Sequence, residues 1–256
     1  MRSSHMGRSE LYIVSDLTNS PALPLVNNAV SWLANECRAD PWQLESFESG
    51  ARHVQLIGFG AETASSAKWN PLSTEALTLL VPSAGVGLLS HGLRRVIESR
   101  LASGVDYPDL LVFASSRSFE GLKAWLHSLA QFKWGWMSIY LLDDGAEVDA
   151  KALLDSLYSE IHSITGNGRV ISAEEFRGLS GDLRSTIDFG WFMESPLVEP
   201  TVPPKEAVWV ARNGVQIAKA ITPESVRFLR AENLFKPSDH YWAHGMAAWG
   251  VLSDYR

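Results

Sequence analysis

Near the start of the chain the pentapeptide Asp16-Leu17-Thr18-Asn19-Ser20 sets a carboxylate and two hydroxyls at alternate positions. It follows a short apolar run, Leu11-Tyr12-Ile13-Val14, and precedes a helical pattern, so the three oxygens gather at the carboxyl end of a strand. Ligands of open α/β sheets bind at that end. Converging hard oxygen donors are what Mg²⁺ requires. The same residue types at a strand-to-helix turn also satisfy backbone donors with no metal.

A second concentration of chemistry lies in the last fifty residues: Trp209, Tyr241, Trp242, Met246 and Trp249. Several aromatic planes on a small unit suit a proline-rich segment, because a polyproline II helix is stiff and loses little entropy on docking. Tryptophans can equally supply the core of a unit with little else to bury. One ring can serve both purposes, so both roles stay open.

Other groups point to no chemistry. His53, His91, His127, His162, His240 and His244 are scattered without the close pairing of a zinc site; His240 and His244 flank Trp242 and read as structural. Asp143-Asp144 reads as a solvated turn. Gly58-Phe59-Gly60 lacks the helix start of a dinucleotide loop, and Ser115-Ser116 sits in no G-x-S-x-G elbow. A hydrolase using Asp16 or Ser115 is the weakest of the readings, since no positioned base is visible near either residue.

The elements that must position these groups alternate along the chain. Strand patterns fall at Leu11–Ser15, His53–Phe59, Leu77–Val81, Asp109–Ala114, Met137–Leu142 and Arg169–Ser172, most too apolar for one wet face. Helical patterns lie between them at Leu23–Arg38, Leu89–Ser103, Phe119–Phe132, Ala150–Ser163 and Ala173–Asp188, with Ser118, Asp149 and Ser172 as capping residues. This alternation predicts an α/β fold, a doubly wound and mostly parallel sheet. It stops near Trp191. From Glu194 to Pro204 four prolines fall in eleven residues, which neither continue a helix nor pair as a central strand. The expected organisation is a tag and tail over 1–9, a domain over 10–192, a stiff linker over 193–206 and a small α+β domain over 207–256.

Composition bounds the function. The chain has 256 residues, 46% apolar and 20% charged, and can bury one large core with a small module appended. A formal net charge of −7 with no dense Lys/Arg run argues against nucleic acid. No apolar stretch approaches the roughly 18–20 residues of a membrane span. The single Cys37 forms no internal disulfide, which fits a reducing compartment, so the expectation is cytoplasmic. Met1-Arg2-Ser3-Ser4-His5-Met6 reads as a cloning scar.

Residues 10 to 190 resemble a von Willebrand factor A domain of the bacterial TerY type, the family of tellurium-resistance and related stress operons. The resemblance rests on Asp16-x-Thr18-x-Ser20, on Val26-Asn27-Asn28-Ala29-Val30, and on Leu33-Ala34-Asn35-Glu36-Cys37-Arg38-Ala39-Asp40-Pro41 with Leu44-Glu45. Such domains usually hold Mg²⁺ in a metal-ion-dependent adhesion site built by three loops. The first loop matches at Asp16, Thr18 and Ser20. In the second, Gly87 or Leu88 stands where the family has a Thr; in the third, Ser115 stands where it has an Asp, with Ser116 and Arg117 beside it. One carboxylate and two hydroxyls bind Mg²⁺ weakly, so the resemblance implies a degenerate site, no bound cofactor, and a docking face around Gly87, Leu88, Ser115, Ser116 and Arg117. Asp109 or Glu120 could replace the missing carboxylate, Glu120 being better placed beyond the strand end.

The C-terminal segment is similar to bacterial GYF-like domains, small folds related to adaptors that grip proline-rich peptides. Val208-Trp209-Val210-Ala211-Arg212-Asn213-Gly214-Val215-Gln216, then Leu229, Leu234 and His240-Tyr241-Trp242, and above all Trp242-x-x-Gly245-Met246-x-x-Trp249, carry the likeness. Ala218-Lys219 replaces a frequent Gly-Pro, and Ala211 replaces a Tyr of peptide-binding relatives. The two resemblances together imply a non-enzymatic adaptor of two domains. Its partners would be a protein of a stress or phosphorylation operon, such as a kinase or phosphatase, and a proline-rich segment. The linker prolines Pro196, Pro200, Pro203 and Pro204 could themselves occupy the groove or brace the domains. The alternative is a Mg²⁺-dependent adhesion protein whose partner completes the metal shell.

Overall fold

The computed structural model describes residues 9–18, 52–60, 64–69, 85–103, 109–115, 118, 122–132, 137–142, 168–172, 203 and 205–256. Its first part is a six-stranded sheet built from β1 (Ser9–Asp16), β2 (Arg52–Phe59), β3 (Ala64–Trp69), β4 (Asp109–Ser115), β5 (Met137–Leu142) and β6 (Gly168–Ser172). The order is β3-β2-β1-β4-β5-β6, parallel except for β3. β1 is central, and every residue from Glu10 to Asp16 is buried, which is why its run is continuously apolar rather than alternating.

Five of the six expected strands are present. The sixth, at Leu77–Val81, lies outside the described residues, as do the helices expected at Leu23–Arg38, Ala150–Ser163 and Ala173–Asp188. In addition, Ala64–Trp69 forms an edge strand that the sequence pattern did not reveal. Ala-Ser-Ser-Ala-Lys-Trp has no β-branched residue and no apolar alternation; what makes it a strand is pairing along β2, from Phe59 opposite Ala64 to Val54 opposite Trp69.

Helix α1 (Leu89–Ser103) buries Leu89, Gly92, Leu93, Val96, Ile97, Arg100 and Leu101, one stripe at helical spacing. It lies close on the sheet: a Cβ on Gly92 would stand 2.8 Å from Val14 Cγ1 and 2.9 Å from Phe59 Cδ1. Helix α2 (Leu122–Ala130) buries Trp125, Ser128 and Leu129. It falls within the helical pattern expected at Phe119–Phe132.

The second part is an antiparallel sheet of β7 (Val208–Arg212), β8 (Val215–Ile221), β9 (His240–Ala243) and β10 (Gly250–Val251), in the order β10-β9-β7-β8. Helix α3 (Pro223–Ala231) connects β8 to β9. Asn213 (φ 52°) and Gly214 (φ 78°) make the two-residue turn between β7 and β8, both left-handed as a type I′ hairpin demands. Thr222 caps α3 by accepting from the Ser225 N–H, with Pro223 at the first turn where its missing N–H costs nothing.

One apolar cluster runs through both parts. It joins Tyr12, Val14, Phe59, Leu93, Ile97 and Trp125 to Val208, Val210, Ile221, Val226, Leu229 and Phe235. Trp125 of α2 meets Phe228 of α3 edge-on, with centroids 5.0 Å apart. Arg94 of α1 bonds both the Glu232 carboxylate (2.9 Å) and the Glu232 carbonyl (2.8 Å), and the Thr222 N–H donates to Gln131 Oε1 at 3.3 Å. The small sheet with its helix is thus seated on α1 and α2.

Candidate functional site

Asp16 ends β1 and is fully buried. Its Oδ1 accepts from the Thr18 N–H at 2.9 Å and from the Thr18 hydroxyl at 2.6 Å, and its Oδ2 accepts from the Ser118 hydroxyl at 2.6 Å. Thr18 Oγ1 in turn accepts the Gly87 N–H at 3.0 Å. Backbone bonds hold the same loops together, Leu17 N–H to Phe59 O at 3.0 Å and Leu88 N–H to Gly60 O at 3.3 Å. The segments after β1 and β2, the one before α1 and the one after β4 therefore converge on a single carboxylate.

Gly87 is the tightest point. A Cβ there would lie 2.6 Å from Asp16 Oδ1 and 3.1 Å from Phe59 Cε2. The position that the family resemblance assigns to a Thr, if it is Gly87, has no room for a side chain in this arrangement. Next to it Val86 is half exposed, and Leu88 partly so.

The sequence reading brought Asp16, Thr18 and Gly87 together, as the structure does. Ser115 ends β4, while Ser20, Ser116, Arg117 and Glu120 lie outside the described residues. Ser118 is the functional partner that sequence reasoning missed. The sequence offers it as a helix cap; in the structure its hydroxyl donates to Asp16, 102 positions away in sequence. No local signal distinguishes a capping serine from one that bridges loops. Among the described residues no group of three His, Cys, Asp or Glu side chains is placed to hold a metal.

In the first half of β1 the Tyr12 hydroxyl donates to Glu10 Oε2, both residues being buried. Burial first, and the Glu10 bond second, push the Tyr12 phenol well above its ordinary value. Arg100 of α1 lies over the Phe132 ring, 5.1 Å from its centroid, and donates from Nη1 to Ile217 O of the small sheet at 3.5 Å.

The aromatic residues of the small sheet divide by face. Val208 and Val210 point into the core, so Trp209 between them points out. Trp209 sits opposite Trp242 in the β7–β9 ladder, and the rings meet edge-on at 5.8 Å. Trp242 then meets Trp249 at 5.8 Å with planes tilted by 52°. Its indole N–H donates to the Met246 carbonyl at 2.8 Å, while Met246 Sδ accepts from the Ala243 N–H at 3.2 Å. Trp249 is 38% exposed, and none of the three tryptophans belongs to the buried cluster. Tyr241, grouped with them in sequence, packs against the core side and meets Tyr255 edge-on at 4.9 Å.

Buried Asp239, by contrast, is structural. Arg212 grips it through two bonds of 2.8 and 2.7 Å, and the Lys236 N–H adds a third at 2.8 Å. No described helix is long and apolar enough to cross a membrane.

No family model matches the chain, and no curated protein matches it. Solved structures are similar to it. A von Willebrand factor type A protein from Catenulispora acidiphila is 11% identical with a TM-score of 0.51, the match covering 81% of this chain and 47% of that one. The PilB minor pilin from Streptococcus sanguinis is 13% identical with a TM-score of 0.48, over 74% of this chain and 64% of that one. The SpRpn10 VWA domain is 12% identical with a TM-score of 0.40, over 73% of this chain and 99% of that one. The chain thus spans between about half and two thirds of the first two structures. At 11% identity the likeness to the Catenulispora acidiphila protein concerns the fold alone: a von Willebrand A-like α/β arrangement with a mostly parallel sheet.

Proposed function

We propose that this chain is a non-enzymatic protein-interaction adaptor whose C-terminal part, a GYF-like module, binds a proline-containing segment. The supporting observation is the outward row Trp209–Trp242–Trp249, three large rings kept off the core at one face of a small sheet. Burying these rings would be worth several kcal/mol inside the module, so their partial exposure favours a partner that covers them. A polyproline II helix offers flat pyrrolidine faces to such rings. Titrating the full chain with a nonaproline peptide, followed by tryptophan fluorescence, tests this. Saturable binding that Trp242→Ala removes is expected; no binding by the wild-type chain overturns the reading.

The larger module, which we read as TerY-like, acts in this proposal through a metal-independent face around Val86, Gly87, Leu88 and the end of β4. Both Asp16 oxygens already accept hydrogen bonds, and the second loop presents an N–H to Thr18 Oγ1 where a cation would need a free lone pair. With one carboxylate among the described donors, this set does not fit Mg²⁺. Calorimetric titration with Mg²⁺ and Mn²⁺ is expected to give no heat that Asp16→Ala abolishes. Binding tighter than about 1 mM that vanishes in that variant would establish the adhesion-type alternative. The partner of this face is proposed to be a protein of a bacterial stress or phosphorylation system, a kinase or phosphatase, in the cytoplasm.

A further inference from the structure

The outer face of the small sheet carries a second rung beside the tryptophans. Along β7, Val208 and Val210 enter the core, so Trp209 and Ala211 share the outer face. Ala211 pairs with His240 of β9 on one side and with Gln216 of β8 on the other. β8 reaches that pairing through a bulge: Val210 stands opposite Ala218 and Ala211 opposite Gln216, which leaves Ile217 as the extra residue. Ile217 and Ala218 both belong to the core cluster, and Gln216 takes the outer face with Ala211. His240 is exposed to water. Gln216 is only partly exposed, and its Nε2 is shut off from solvent with no hydrogen-bond partner among the described residues. An enclosed donor left unpaired costs stability, and such a group in a folded protein calls for a reason.

We propose that Gln216 is the polar anchor of the tryptophan row: its carboxamide N–H donates to a backbone carbonyl of the bound proline-containing segment and so fixes the ligand's register. This rests on the proline-binding reading above and adds how the ligand is selected. A polyproline II segment makes no internal hydrogen bonds, and its prolines have no N–H, so it offers acceptors and no donors. The face that binds it must supply the donor. Trp242 does not, because its indole N–H is already given to the Met246 carbonyl at 2.8 Å. Gln216 has that donor unspent, and a half-turn of its last side-chain torsion exchanges the enclosed nitrogen for the oxygen. Reach is no obstacle. Residues two apart on a strand are separated by about 7 Å, and a polyproline helix rises about 3.1 Å per residue. A carbonyl about two residues from a proline stacked on Trp209 therefore meets Gln216.

The test uses the full chain and its Gln216→Leu and Gln216→Glu variants, with nonaproline as the probe. Affinity is read by tryptophan fluorescence, and the thermal midpoint of unfolding is measured beside it. Gln216→Leu is expected to bind nonaproline about tenfold more weakly, the size of one lost hydrogen bond. Its thermal midpoint is expected at or above the wild-type value, because an unpaired donor has been removed. Gln216→Glu is similar in size but carries acceptors only, and is expected to weaken binding at least as much. Unchanged affinity in Gln216→Leu overturns the anchor and leaves the proline-binding reading standing. A thermal midpoint that falls together with affinity also overturns it, since Gln216 would then be structural. If the wild-type chain does not bind nonaproline, the proline-binding reading falls and the anchor falls with it.

Discussion

The two clusters of candidate residues lie on sheets of the same molecule and put their side chains to opposite use. At the end of β1, both carboxylate oxygens of Asp16 and the N–H and hydroxyl of Thr18 are engaged in hydrogen bonds within or between the loops. On the outer face of β7 and β9, large apolar rings remain half covered although a core lies on the other side of the same strands. Polar side chains that the sequence groups together can thus be consumed by structure, while apolar rings on a sheet face stay partly uncovered. What distinguishes them is whether neighbours within the chain already satisfy the groups.

Breaking the first cluster should be the most costly. Asp16→Ala leaves the Thr18 N–H, the Thr18 hydroxyl and the Ser118 hydroxyl without their acceptor, and a loss of about 3 kcal/mol is expected in urea unfolding. A loss below about 1 kcal/mol would mean the cluster is not holding the loops together. Gly87→Ala forces a methyl against Asp16 Oδ1 and Phe59; about 2 kcal/mol is expected from overpacking, read the same way. Unchanged stability there would show that the second loop can open, and would reopen room for a ligand.

Tyr12 sharpens the comparison from the same strand, four residues before Asp16. Its folded-state pKa is raised, so the folded protein keeps a proton that the unfolded chain releases near pH 10. Stability contributed there is present below pH 10 and falls as pH rises beyond it. Tyr12→Phe should cost about 1–2 kcal/mol at neutral pH and flatten that alkaline decline; an identical decline in the variant would assign it to other tyrosines. The smallest effect on stability is expected from Trp249→Ala, below about 1 kcal/mol, because the ring is part exposed and meets only Trp242 among the described ring contacts. The same variant should weaken nonaproline binding more than tenfold. A large loss of stability with unchanged binding would make the tryptophan row a core, and the contrast between the two regions would disappear.

Read from the sequence alone, the strands of the large sheet were legible because central parallel strands are buried on both faces and so appear as unbroken apolar runs, as in Leu11–Val14 and Leu110–Phe113. The hairpin at Asn213-Gly214 and the Thr222-Pro223 helix start carry their instructions in one or two residues, since left-handed backbone and capping are local requirements. Strand β3 was not legible: its composition is neutral, and a neighbour's free edge decided its state. The bond from Ser118 to Asp16 was not legible for a related reason: a hydroxyl that suits a cap suits a buried carboxylate equally well.

The sequence by itself determined the alternation that makes an α/β sheet, the residue types at the end of β1 and the aromatic content of the last fifty residues. Only the tertiary structure decided which hydroxyl reaches Asp16 and which face of β7 and β9 its tryptophans occupy. The same holds for the seating of the small sheet on α1 and α2, through pairs such as Arg94 and Glu232 that are 138 residues apart. Local preferences act over a turn or a strand and are written in neighbouring residues. Partners across the chain are chosen by closure of the sheet and by the packing of buried surfaces, where many residues compete for each place and no short motif names the winner.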